Sequence, residues 1–241
     1  MSNEPCLGIM QPYFFPYPGH FSLIAASSQW IVFDITQYTP KSWMTRNRIL
    51  HPSAGWQYIQ VPLANNSINI TTHEARVLDP AGARSNLLGK LTHYKKSAPY
   101  YRSVVRLVHE AFEAATDDKL VTLNVQALAA VCRALDIPFN YRICSQLALE
   151  LPPHLGAGEW ALEVASALGA GSYLNPASGR SLFDPAAFAR RGIELRFLEP
   201  APIDYATTPY AHIPHLSILD AMMWMPAAEV ARAVRTCYRI V

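Results

Sequence analysis

The first apolar run of the chain, Cys6–Met10, is short and is bounded by Pro5 and by a proline-rich stretch that begins at Gln11. A run of that length closed by prolines predicts a buried strand. Pro12, Pro16 and Pro18 then forbid both regular helix and central strand. Gly19 opens a predicted helix over residues 20–28 with Phe21, Ile24 and Ala25 on one face, and residues 30–33 form a second apolar strand that stops at Asp34. Strand, loop, helix and strand in about thirty residues outline a βαβ unit.

Residues 36–48 are polar, aromatic and basic, which predicts mostly loop. Residues 56–63 alternate as a strand does, and 68–78 carry a weaker strand signal around 75–78. The period then changes to that of helices over 83–94, 99–115 and 120–135, followed by a strand over 139–144. Beyond it the alternation resumes: a helix over 158–168 closed by Gly169, a strand over 172–174, a helix begun by Asp184-Pro185, a strand over 193–198, and a terminal helix from Pro226 to about Arg235. The predicted class is α/β: a largely parallel sheet flanked by helices, with a helical insertion in the middle of the chain. We read residues 1–241 as one domain, in which about 83–136 could form a helical subdomain.

Composition narrows the range of functions. Of 241 residues, 51% are hydrophobic and 16% charged, the opposite of a disordered chain. A formal charge of +2 is too small for the basic footprint of a duplex-binding protein, so no nucleic-acid partner is expected. No run approaches the roughly 20 apolar residues that span a bilayer. The opening Met-Ser-Asn-Glu-Pro-Cys has no basic stretch ahead of an apolar core, so no secretory leader is expected there. Cys6, Cys132, Cys144 and Cys237 form no C-x-x-C pair and read as free thiols of a cytoplasmic protein.

Several stretches resemble the WbqC-like family in order along nearly the whole chain. They are Met10-Gln-Pro-Tyr-Phe-Phe-Pro-Tyr17 with Gly19-His-Phe-Ser-Leu-Ile24, Asp34-Ile-Thr-Gln-Tyr38, Trp43 with Arg46-Asn-Arg-Ile49, and Leu216-Ser-Ile-Leu-Asp220. Tyr94-Lys-Lys-Ser-Ala-Pro-Tyr-Tyr101 and Tyr173-Leu-Asn175 resemble family segments as well. The resemblance implies a bacterial protein of surface-polysaccharide or secondary-metabolite assembly, such as O-antigen biosynthesis, with transfer of an acyl or aminoacyl group onto a sugar amine. Where family members often carry two acids this chain has Asp34-Ile35, and where they often have tyrosine it has His20.

The residues themselves suggest the same kind of chemistry. His20, after a proline-glycine turn, could serve as general acid or base, or be a structural histidine at a helix start. Asp34 ends the second strand, where it could orient His20, take a proton from an amine, or cap a turn. Gln11 and Tyr13 lie where the first strand ends, the edge at which α/β folds gather ligands, and Gln37 extends the corresponding edge of the second. Arg46, Asn47 and Arg48 are a dense donor set suited to an anionic substrate, with Trp43 either a stacking wall or a core residue. Ser217 and Asp220 read either as a helix capping box or as a hydroxyl and carboxylate reaching the site. His212 and His215 have no further metal-type ligands beside them, so no metal is expected.

The first expectation is therefore a transferase moving an acyl or aminoacyl group from a thioester donor to an amine or sugar acceptor, with His20 and Asp34 catalytic. Gln11, Tyr13, Gln37, Trp43, Arg46, Asn47, Arg48, Ser217 and Asp220 would bind substrate. It needs no resident cofactor; acyl carrier protein or coenzyme A would deliver the donor. Tyr17-Pro-Gly-His20 also resembles half of the His-x-Gly-His signature of nucleotidyltransferases, which would imply ATP and magnesium. A non-catalytic binding protein of a biosynthetic complex is the third reading.

Overall fold

The computed structural model describes residues 5–241, so the reading of a missing leader at the chain start lies largely outside the described residues. Strand β1 (Cys6–Met10) leads through the proline loop into helix α1 (Pro18–Ala26), which has its proline at the start where no N–H is needed, and then into β2 (Gln29–Val32). A hairpin follows, β3 (Arg46–Leu50) against β4 (Trp56–Gln60), then helices α2 (Pro80–Leu91), α3 (Tyr101–Glu113) and α4 (Leu120–Ala134). Next come β5 (Tyr141–Ile143), α5 (Glu159–Ala167), β6 (Ser172–Pro176), α6 (Pro185–Arg190), β7 (Glu194–Pro200), α7 (Ile218–Trp224), α8 (Ala227–Thr236) and β8 (Tyr238–Ile240).

The six-stranded sheet has the order β5-β2-β1-β6-β7-β8, parallel throughout except that β8 runs antiparallel to β7. Both faces are covered, as parallel sheets require. Leu7, Ile9, Ile31 and Tyr173 point to the side packed by α5 and α6, where Val164, Ala165 and Phe188 meet them. Trp30, Val32, Leu174 and Leu198 point to the other side, into a core continuous with Phe21 and Ile24 of α1, Leu87 of α2, Val108 of α3 and Leu128 of α4. Gly8 makes room on that side: a Cβ there would lie 2.6 Å from the Trp30 ring.

Two segments differ from the pattern-based expectation. Residues 46–50 are a strand, not loop, and their alternation was hidden because the inward positions are Asn47 and Ile49 while Arg46 and Arg48 point outward. Residues 75–78 form only isolated bridges, Leu63 with Val77 and Arg76 with Lys119, and connect elements without joining a sheet. Among the described residues no helix is long and apolar enough to cross a membrane.

Candidate functional site

The chain runs outward from β1 to β2 and β5, then returns across β1 to β6 and β7. The connections leaving β1 and β6 therefore diverge, and a crevice opens at the carboxyl ends of these two strands, where doubly wound sheets bind their ligands. A cavity of about 630 Å³ lies there. Its floor is Met10 at the end of β1 and Pro176 at the end of β6. Tyr13, Pro16, Tyr17 and His20 form one wall, Trp43, Asn47 and Arg48 a second, and Ala177, Ser178, Glu199, Pro200 and His215 complete it.

The proline loop is held by four of its carbonyls, which accept from donors elsewhere in the chain. Asn124 of α4 donates its amide to Pro12 and also to Met44, both at 2.8 Å. The Asn47 amide donates to Phe14 at 3.1 Å, the Ser217 hydroxyl to Phe15 at 2.7 Å, and the Ile218 N–H to Pro16 at 2.8 Å. Phe15 adopts φ 38°, a left-handed conformation that a bulky residue rarely takes and that costs on the order of 1–3 kcal/mol. These bonds on either side overdetermine it. The signature Gln11-Pro-Tyr-Phe-Phe-Pro-Tyr17 thus encodes a rigid wall, with Phe14 and Phe15 in the core and Tyr13 and Tyr17 at the cavity.

His20 heads α1 on that wall. Gly19 before it is required by space, since a Cβ would lie 2.4 Å from the Tyr17 ring and 3.0 Å from Pro200 of β7. The imidazole packs against Trp30 and Tyr13, with ring centroids 5.2 and 5.4 Å apart, is only 2% exposed, and its Nε2 has no hydrogen-bond partner. Burial away from water disfavours the cation and lowers its pKa from 6.5 to about 3. His20 is therefore neutral at physiological pH.

Arg48 supplies the positive charge. Its guanidinium lies 5.6 Å from the Trp43 ring centroid and 5.2 Å from that of Trp56, and one amino group donates weakly to the His215 carbonyl at 3.4 Å. Nε of Arg48 has no partner, and among the described residues no carboxylate lies within ion-pair distance of Arg48 or Arg46. Arg46 stacks at 4.4 Å on Tyr58 along the same outward face of the hairpin and does not line the cavity.

The other expected site residues sit outside the cavity. Asp34 is buried next to the neighbouring strand end, where Oδ1 accepts from the Ser145 N–H at 2.9 Å and Oδ2 from the Ser145 hydroxyl at 2.6 Å. It ties β2 to the end of β5, one strand away from the switch point. Gln37 donates to the Ile68 carbonyl at 2.6 Å, and Gln11 precedes the wall without lining the cavity. Ser217 is the N-cap of α7, accepting from the Leu219 N–H. Asp220 is buried and accepts hydrogen bonds from the Tyr94 and Tyr205 hydroxyls, while Tyr94 Oη accepts from the Leu50 N–H at 3.0 Å. Desolvation raises the Asp220 pKa against those bonds. Cys144 is no exposed nucleophile: burial and the nearby Asp34 push its thiol up to about 12.

Ser217 and Asp220 thus hold the cavity's walls from behind. The Ser217 N–H bonds the Arg48 carbonyl at 2.8 Å, and the Asp220–Tyr94 pair bonds β3 two residues further on. Sequence reasoning missed Tyr17, Ser178, Glu199, Pro200 and His215 as lining residues. Pro176 and Pro200, each ending a strand, were the available signal, but only the strand order gives it meaning. Among the described residues no group of three or more His, Cys, Asp or Glu side chains is gathered as a metal site.

These features define a doubly wound α/β protein with a ligand-sized cavity at its switch point. The chain belongs to the WbqC-like protein family, whose sequence profile matches residues 11–232. It is 26% identical over 233 residues to the uncharacterized protein Rv1507c of Mycobacterium tuberculosis (strain ATCC 25618 / H37Rv), a match covering 96% of this chain and 98% of the relative. No solved structure matches it.

Proposed function

We propose that the protein is a biosynthetic transferase of surface-polysaccharide or secondary-metabolite assembly. It moves an acyl or aminoacyl group from an anionic thioester donor to an amine acceptor in the switch-point cavity. The observation that carries this reading is the pairing, on one cavity, of an arginine and a buried histidine Nε2 that, among the described residues, have no carboxylate partner and no hydrogen-bond partner respectively. Arg48 would hold the donor's anion. The amine nitrogen attacks the thioester carbonyl, the C–S bond breaks, and the proton lost by the amine goes to the departing thiolate.

His20 suits this as a neutral imidazole, able to hydrogen-bond the developing oxyanion or relay that proton. Burial makes it a weak base; negative charge on a bound donor would raise its pKa and its basicity. Asp34, with both oxygens engaged by Ser145, is better read as a brace than as a base. With acyl-thioester and amine substrates, His20→Gln is expected to lower kcat by about a hundredfold or more, and Arg48→Gln to raise the donor KM. An unchanged rate in His20→Gln removes the role given to His20, whereas no turnover by the unmodified protein removes the transferase reading and favours a non-catalytic binding role.

A second reading, nucleotidyl transfer from ATP with magnesium, is favoured by one observation: Tyr17-Pro-Gly-His20 heads the first helix beside the cavity, where half a His-x-Gly-His signature would have to sit. Pyrophosphate release from ATP on addition of an acceptor separates it from acyl transfer.

A further inference from the structure

The cavity wall formed by Trp43 and Arg48 restricts the kind of anion it can take. Indole rings lie over the guanidinium of Arg48, with centroids at 5.6 and 5.2 Å, its Nε is buried and one amino group donates weakly to the His215 carbonyl, so the remaining amino N–H groups are the part left to bind a ligand. A planar fork presented edge-on matches the paired oxygens of a phosphate or carboxylate. Trp43 lines the cavity, yet 41% of it is exposed, a large apolar ring left open beside a cation that forms no ion pair among the described residues. A single small carboxylate would use the arginine and leave the indole wet. It would also leave most of about 630 Å³ empty, a volume within the range of roughly 300–1,000 Å³ that holds larger cofactor-sized molecules. An anion joined to a planar ring satisfies both groups at once, because a π-face stacks on indole with little regard to its hydrogen-bonding edge.

We propose that the cavity recognises a nucleoside diphosphate moiety, its phosphates on the Arg48 fork and its base stacked on Trp43. This rests on the reading of the cavity as the working site and names the handle by which its donor is held. Nucleotide sugars, coenzyme A and ATP all carry that handle, so the source is to be distinguished by titration.

The test is isothermal titration of the full chain with ADP, UDP, coenzyme A, pyrophosphate and an acyl-pantetheine that lacks a nucleotide. At least one nucleotide is expected to bind about tenfold or more tighter than pyrophosphate, as loss of one base–aromatic stack implies. Trp43→Leu should weaken nucleotide binding by about tenfold or more beyond any change in pyrophosphate binding, and Arg48→Gln should weaken both. Adenine-only binding would assign the source to coenzyme A or ATP, and uridine binding to a nucleotide sugar; either supports the proposal. Equal affinity for pyrophosphate and the nucleotides, or indifference of nucleotide binding to Trp43→Leu, overturns it. Binding of acyl-pantetheine alone overturns it too but leaves the transferase reading standing, whereas an absence of binding by every probe removes both.

Discussion

Burial of His20 makes the stability of the fold depend on pH in a calculable way. Its imidazole titrates near 6.5 in an unfolded chain and near 3 in the folded one, where desolvation opposes the cation. Between these values the unfolded chain holds a proton that the native chain refuses, so acid favours unfolding. The stability contributed by a neutral His20 is fully present above about pH 6.5 and is lost as the pH falls toward about 3. At about 1.4 kcal/mol per pH unit, lowering the pH from about 7 to about 5 removes about 2 kcal/mol through this one side chain. His20→Phe keeps a ring against Trp30 and Tyr13 but cannot titrate. Urea unfolding of both proteins at the two pH values isolates the effect, because any constant packing cost of phenylalanine cancels in the comparison. Wild type should lose about 2 kcal/mol more than the variant over that interval. Equal losses, within about 0.5 kcal/mol, would mean that His20 reaches solvent or a proton acceptor and is not held neutral by burial.

Tyr94→Phe removes a buried hydroxyl that bonds both Leu50 and Asp220, and should lower unfolding free energy by about 3 kcal/mol with an unchanged m-value; a loss under about 1 kcal/mol would refute its role in holding β3. Gly158→Ala places a Cβ 1.8 Å from the Leu182 carbonyl oxygen and should cost at least about 2 kcal/mol by denaturant titration. Gly169→Ala meets no neighbour and carries only the strain of φ 63°, so it should cost about 1 kcal/mol. The reverse ranking would contradict the packing of α5. Asp184→Ala deletes the oxygen that caps α6 at Ala186 and should lower stability by about 1 kcal/mol in the same assay.

The helices and the parallel strands were legible because single forces dominate them. Cys6–Met10 and Gln29–Val32 are apolar runs that a doubly covered sheet demands, and Asp184-Pro185 starts α6 as its side-chain cap and fixed φ dictate. Gly169 closes α5 with φ 63°. β3 escaped because Asn47 stands where an apolar residue would normally mark the inward face, its amide satisfied by a carbonyl 33 residues away in sequence. β8 escaped because a three-residue edge strand has too few positions to show a period.

The candidate site was legible in its local parts and opaque in its assembly. Parallel pairing brings Asp34 close to the end of β1, where the Phe33 N–H bonds the Met10 carbonyl. What pairing alone could not show is that β6, more than 160 residues along the chain, lies on the other side of β1, so the crevice opens away from Asp34. The same strand order explains why the family-like segments divide into two kinds. Tyr13, Tyr17, His20, Trp43 and Arg48 face the cavity, whereas Ser217 and Asp220 bond the backbones that carry them. A loop with Phe15 at φ 38° cannot hold its own shape; it needs donors that arrive from α4, β3 and α7. Polar residues can therefore be essential to this cavity without touching what it binds, and a substitution in the supporting set should disturb ligand affinity through the position of Arg48 and the proline loop.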